Sequence, residues 1–297
     1  MESLKRVLQG KDVILLDGAM GTELSRLGVQ SIVNANLSNP NEVIKIHKEY
    51  LGAGSNAIIT NTLTLNRISI ESHHIDVDVS AINEAGASLA LSAASGNAFV
   101  LGNLSSTGQM LEPYGTYSDT DFIATFKEQA SYLQKRRIDG FIVETVFDLR
   151  EAICILKGCR AASSLPVLVC IAFNSELNGG RTIMGDSAKD CAIQLTENGA
   201  DAVGANCGGI DPMQLADIIA TMSASTKLPI VAEPNAGKPR LVDGVTTFDM
   251  DADTFAAGML ECKKAGARVL GGCCGTTPDH IRALRMLLQK GNYGPFV

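Results

Sequence analysis

The chain lacks a basic stripe: 25 Lys and Arg against 32 Asp and Glu leave a formal charge of −7, with no long run of one sign. A phosphate-backbone partner needs clustered positive charge to displace counterions, so nucleic acid and other polyanions are excluded as ligands. No apolar stretch in the opening MESLKRVLQGKDVILLDG is long enough for a signal peptide, and no later run approaches a membrane span. The expectation is a cytoplasmic protein with no membrane contact. Linkers, low-complexity segments and clear internal repeats are missing too. With 45% hydrophobic and 19% charged residues the composition makes no case for disorder. One domain over residues 1–297 is the expected organisation.

Eight short apolar runs rich in Val and Ile alternate with helix-length segments, the pattern of parallel strands buried on both faces. They span residues 13–17, 57–61, 99–103, 141–145, 167–173, 202–207, 230–234 and 268–273. Amphipathic stretches lie between them, among them 40–51, 120–137, 186–198, 253–264 and 278–289. Asn39 before Pro40 opens one helix, and Gly52, Gly140, Gly199 and Gly266 are read as closing others. Eight β-then-α units fit an α/β fold of the (β/α)8 TIM-barrel type better than an open doubly wound sheet.

Reactive residues of such barrels sit where strands end. Asp17, Asn61, Asn103, Glu144, Asn206 with Cys207, Glu233 with Asn235, and Cys273 with Cys274 fall at those points. No strand ends in a lysine suited to Schiff-base chemistry, which counts against a metal-independent barrel lyase. None of the four histidines ends a strand either. His47 falls in a helix, His73 and His74 in a polar loop and His280 in the last helix, with solvated or capping roles expected for all.

Eight cysteines in a reducing compartment are free for packing, metals or catalysis. Cys154, Cys159, Cys170, Cys191 and Cys262 lie mid-strand or within helices and read as small buried hydrophobes. Cys207 ends the sixth strand in GANCGG, and Cys273 and Cys274 end the eighth in GGCCGTT, so these three converge at the barrel mouth. Neighbouring strand residues point to opposite faces, so both sulfurs of the pair reach one ion only if the strand has ended and the chain turns. A disulfide between them is disfavoured by strained vicinal geometry. Soft thiolates select zinc, and three protein ligands with one open position mark a catalytic site; plain buried cysteines are the competing reading. Three thiolates on Zn²⁺ leave one net negative charge, which suits activation of a further thiol, and hence alkyl transfer to sulfur, better than hydrolysis.

DGAMGTEL from Asp17, NTLTLNR from Asn61, ETVFD from Glu144, GANC ending at Cys207, EPNAGKP from Glu233 and GGCCGTTPDHI from Gly271 span nearly the whole chain. On these motifs the sequence resembles the homocysteine S-methyltransferase family, and most closely the homocysteine-binding barrel of cobalamin-dependent methionine synthase. The resemblance implies a (β/α)8 barrel, Zn²⁺ on Cys207, Cys273 and Cys274, and methyl transfer to homocysteine to give methionine. It also assigns Asp17 and Glu144 to the substrate's ammonium. Physical reasoning agrees: paired carboxylates bind a cation, and free backbone N–H groups around Gly18 to Thr22, Ala19 among them, receive a carboxylate. A helix cap or loop hydrogen bond is the alternative for both acids. For Asn235 two roles stand: a carbonyl on zinc's fourth position until substrate arrives, or a turn residue before Gly237.

Two loops depart from the family pattern, NTLTLNR in place of NTFGANR and GNLSSTGQ in place of a GPTG-like turn. Tyr114 and Tyr117 then either line the entrance or sit in a surface turn. Folate, cobalamin and activation modules do not fit in 297 residues. The closeness to the methionine-synthase barrel, EPNAGKP included, implies a methylcorrinoid on a separate protein as donor, with S-methylmethionine or another small donor as the alternative. A non-catalytic zinc- or thiol-binding protein is the reading from a different class.

Overall fold

A computed structural model of the chain describes residues 3–242, 245–291, 293 and 296. The chain begins with α1 (Leu4–Gln9), β1 (Ile14–Leu15), α2 (Met20–Arg26), α3 (Ala35–Ser38), α4 (Pro40–Ala53), β2 (Ala57–Ile59), α5 (Arg67–Ser72) and α6 (Val79–Ala94). It continues through β3 (Phe99–Leu104), α7 (Asp119–Gln134), β4 (Gly140–Val146), α8 (Leu149–Ala162), β5 (Val167–Ile171) and α9 (Ala188–Glu197). The last part holds β6 (Ala202–Asn206), α10 (Pro212–Ser225), β7 (Ile230–Glu233), β8 (Arg240–Val242), β9 (Val245–Thr247), α11 (Ala252–Lys264), β10 (Ala267–Leu270) and α12 (Pro278–Lys290).

Eight of these strands pair in parallel in the order β1-β10-β7-β6-β5-β4-β3-β2. The seam between β1 and β2 is closed by Asn56, whose N–H donates to the Leu15 carbonyl at 2.8 Å and whose Oδ1 accepts the Leu15 N–H at 2.7 Å. The result is the expected (β/α)8 barrel, with all eight strands at the expected places. Among the described residues, no helix is long and apolar enough to cross a membrane.

Alternation along the strands sorts side chains into two cores. Inward residues such as Ile14, Phe99, Leu168 and Val269 fill the barrel together with Leu4, Val7 and Leu8 of α1, which stoppers its lower end. Outward residues such as Leu15, Val143, Val169 and Leu270 pack against the helical ring. Three helices start at reciprocal polar caps that satisfy free N–H groups: Ser118 with Asp121 opens α7, Asp211 with Gln214 opens α10, and Thr277 with His280 opens α12.

Two helix ends differ from the expectation. Gly52 lies inside α4, which closes on Gly54 at φ 110°. Gly140 opens β4 instead of closing α7, and the left-handed turn there is made by Arg137 at φ 62°. A Cβ on Gly140 would stand 2.8 Å from Leu4 Cδ2, so this glycine serves close packing against α1. The antiparallel hairpin β8–β9 inserted after β7 has no counterpart in the strand pattern read from sequence.

Candidate metal and substrate site

The Cys207, Cys273 and Cys274 sulfurs lie within 4.8 Å of one another at the mouth, an arrangement able to hold a metal ion. β10 ends at Leu270, so the vicinal pair stands in the turn beyond it, as two sulfurs on one ion require. Cys207 follows β6 directly and takes a left-handed φ of 51°, uncommon for a non-glycine residue. Gly208 continues the turn at φ 76°, where a Cβ would meet the Phe173 carbonyl oxygen at 2.2 Å. Backbone bonds stitch the three segments together: Cys207 N–H to Glu233 O at 3.1 Å, Cys273 N–H to Pro234 O at 2.8 Å, and Ala236 N–H to Cys274 O at 2.9 Å.

The thiols of Cys273 and then Cys274 stabilise a thiolate on Cys207, holding it down to about 3. Those two are correspondingly pushed up, Cys274 to about 12, so the trio without metal shares one negative charge. Asn235 lies against Cys207. Its Nδ2 donates to Gly208 O at 3.0 Å, and its buried Oδ1 has no hydrogen-bond partner. The donor set fits a soft metal: three thiolates, with an orphaned carbonyl oxygen beside them.

Glu144 and Asp17 are both buried. Burial first, and repulsion from Asp17 second, push the Glu144 acid up to about 8, although Asn103 donates to it. Burial also raises Asp17. The turn carrying Glu144 is fixed by its neighbour: Thr145 sits at φ 59°, where β4 slips register against β5. Asn206 clamps it, accepting the Thr145 N–H at 2.8 Å and donating to Thr145 Oγ1 at 2.9 Å and Glu144 Oε1 at 3.4 Å. A third acid, Glu233, is also buried and raised, by desolvation and by repulsion from Glu144 and Asp17. Its Oε2 accepts from Cys170 Sγ at 3.6 Å. Strand-end position flagged Asn206 and Glu233 in the sequence without giving either a role.

A cavity of about 210 Å³ is lined by Gly18, Ala19, Glu144, Thr145, Cys273 and Cys274 together with the apolar Ile32, Val33, Leu63 and Leu65, whereas Asp17, Cys207 and Asn235 do not line it. Asp17 lies just behind Gly18, with its Oδ1 unpartnered. The Ala19 N–H is not free as expected, because it donates to Thr276 Oγ1 at 3.0 Å. Gly18 is held in place by contact: a Cβ there would stand 2.5 Å from Thr276 Oγ1.

Tyr114 is exposed, whereas Tyr117 packs against Phe122 with ring centroids 5.8 Å apart, and neither lines the cavity. Cys154, Cys159, Cys170, Cys191 and Cys262 are buried as expected, and their thiols are all raised by burial. His73 follows α5, and His280 caps α12 through Nδ1. His47 departs from the expectation: it is fully buried, with Nδ1 3.9 Å from Asp17 Oδ2. Val43, Ile46, His47 and Tyr50 form one stripe at helical spacing, the signal that marks this residue as inward-facing.

Comparison with known proteins gives concordant results. The chain is 26% identical over 307 aligned residues to a methionine synthase of Mycobacterium leprae, covering 95% of this chain but only 25% of that protein. It is 28% identical over 302 residues to betaine–homocysteine S-methyltransferase 1 of Danio rerio, covering 93% of this chain and 73% of that one. The chain thus spans about a quarter of the methionine synthase it matches. In structure it resembles the metallated homocysteine methyltransferase MmuM of Escherichia coli, with a TM-score of 0.77 at 23% identity over 96% of this chain and 99% of the other, a likeness of fold. The family model for homocysteine S-methyltransferase matches residues 14–288. The chain therefore belongs to the homocysteine S-methyltransferase family.

Proposed function

We propose that the chain transfers a methyl group to the thiol of homocysteine, giving methionine, with zinc held by Cys207, Cys273 and Cys274. One observation carries this reading: three sulfurs lie within 4.8 Å of one another, and two of them, those of Cys273 and Cys274, line a cavity that Glu144 also lines, in a member of this family. Zinc bound there would keep the substrate thiol as a nucleophilic thiolate at neutral pH. The orphaned Oδ1 of Asn235 would fill the fourth position until substrate arrives.

The protein's own residues bind and orient the amino acid. Asp17 and Glu144 receive the ammonium, whose charge offsets the burial and the repulsion from Asp17 that raise Glu144. The substrate carboxylate faces Gly18 and the first turn of α2, where Met20, Gly21 and Thr22 line the cavity. Because Ala19 N–H is engaged, that anchor falls to the neighbouring amides. Asn206 keeps the Glu144 turn in place, so the sulfur is presented in one orientation to the methyl carbon.

A methylcorrinoid on a separate protein is the proposed donor. Quaternary ammonium and sulfonium donors are recognised on aromatic faces. Among the described residues lining the cavity there is neither an aromatic ring nor a Lys or Arg, and Ile32, Val33, Leu63 and Leu65 are aliphatic. The proposed acting unit is the barrel of residues 1–297. Its eight free thiols suit a reducing compartment such as the cytoplasm.

The test incubates zinc-loaded protein with homocysteine and, in parallel, methylcobalamin, S-methylmethionine or betaine, and measures methionine above the enzyme-free rate. Turnover with methylcobalamin alone is the expected result. Turnover with a cationic donor overturns the donor assignment. Zinc and homocysteine binding without turnover on any donor overturns catalysis in favour of a binding role.

A further inference from the structure

We propose that His47 is a positioning residue for Asp17: its Nδ1–H fixes one carboxylate oxygen from behind the site and leaves the other for the substrate's ammonium. The inference rests on the ammonium role assigned to Asp17 above. Asp17 Oδ2 accepts the Ile59 N–H at 3.0 Å and has His47 Nδ1 3.9 Å away, while Oδ1 has no partner. The two oxygens are thereby distinguished, one facing the scaffold and one unspent.

The imidazole is otherwise unexplained. It sits fully buried in the apolar stripe of α4, and neither ring nitrogen has a hydrogen-bond partner. An unsatisfied buried polar group destabilises the fold, so an apolar side chain would serve packing better. The arrangement around it points to a use. One turn further along α4, Tyr50 places its hydroxyl 3.0 Å from the carbonyl oxygens of both Ala19 and Thr276. The helix thus props residues 17–19 from behind with two polar side chains, His47 on the acid and Tyr50 on the backbone beyond it. A small closing movement brings Nδ1 within hydrogen-bond reach of Oδ2, and an ammonium on Oδ1 favours it by holding the carboxylate ionised.

Two substitutions separate positioning from packing. His47→Asn sets an amide nitrogen near the place of Nδ1, whereas His47→Leu fills the space without a donor. In zinc-loaded protein, His47→Leu is expected to raise the KM and Kd for homocysteine about tenfold. Its kcat at saturation and its zinc content should stay near wild type, and His47→Asn should recover most of the affinity. An unchanged KM in His47→Leu, or equal losses in both variants, overturns the role. Nitrogen NMR of the wild-type ring needs no variant: Nδ1 is expected to carry the proton and to shift when homocysteine binds. A proton on Nε2 alone overturns the assignment. If wild-type protein binds no homocysteine, the functional reading itself fails, whereas a fault confined to His47 leaves wild-type binding intact.

Discussion

The lower barrel interior and its mouth are built from the same strands with opposite chemistry. Below, Ile14, Phe99, Leu168 and Val269 close on the α1 stopper in an apolar core. Further along, at the strand ends, Asp17, Asn103, Glu144, Asn206 and Glu233 are also buried but polar. There Asp17, Asn103, Glu233 and Asn235 each keep a buried oxygen without a partner, and Thr145 and Cys207 take left-handed backbone angles. Orphaned oxygens and strained backbone each cost on the order of 1–3 kcal/mol. The mouth can hold such features because the packed half below fixes where every strand ends. The comparison teaches a division of labour: the lower layers hold the barrel together, and the last turn of each strand is free to carry chemistry.

That division is broken most directly at the sulfurs. Cys207→Ser should abolish metal retention and cut methyl transfer by at least about a thousandfold, since a metal ion supplies several kcal/mol. Thermal melting of the metal-free form should stay close to that of the metal-free wild type. Bound zinc by atomic absorption, turnover and a melt check all three, and a variant with full activity would refute the ligand set. The reverse cut is Phe99→Ala, which should cost about 3–5 kcal/mol of stability while the folded fraction keeps its homocysteine KM. Denaturant titration beside a KM measurement decides it.

Glu144→Gln sharpens the comparison within the mouth. Loss of a charge-assisted hydrogen bond should weaken homocysteine by about 2 kcal/mol, roughly thirtyfold, with zinc still bound. In the metal- and substrate-free wild type the Glu144 acid is held up to about 8 against an ordinary 4.5. Between those values the folded form keeps a proton that the unfolded chain has released. Stability should therefore fall as pH rises through this window, by up to about 1.4 kcal/mol per pH unit, and the Gln variant should flatten that slope. Melting curves of both proteins across this range are the check, and equal slopes would dismiss Glu144 as the source.

All eight strands were legible because parallel strands buried on both faces read as plain apolar runs. The cysteine trio was legible because strand ends in a barrel converge. Harder to read was whatever depends on a contact between distant segments. Gly140 looks like a helix stop until Leu4 of α1 is seen against it. His47 looks like a surface helix residue unless its spacing with Val43 and Tyr50 is weighed. Ala19 offers its N–H to a ligand only if Thr276, far away in sequence, is ignored. The β8–β9 hairpin is not legible because its two three-residue strands carry too little periodicity to stand out.

The backbone bonds that tie Cys207 to Glu233, Cys273 to Pro234 and Ala236 to Cys274 have a thermodynamic consequence. Small zinc modules unfold without their ion, so metal affinity and folding energy are one quantity in them. Here the donors hang from three adjoining strand ends that are already locked by the barrel. With zinc bound as proposed, loading and removal of the ion would be an exchange of ligands on a finished template, with little conformational entropy left to surrender.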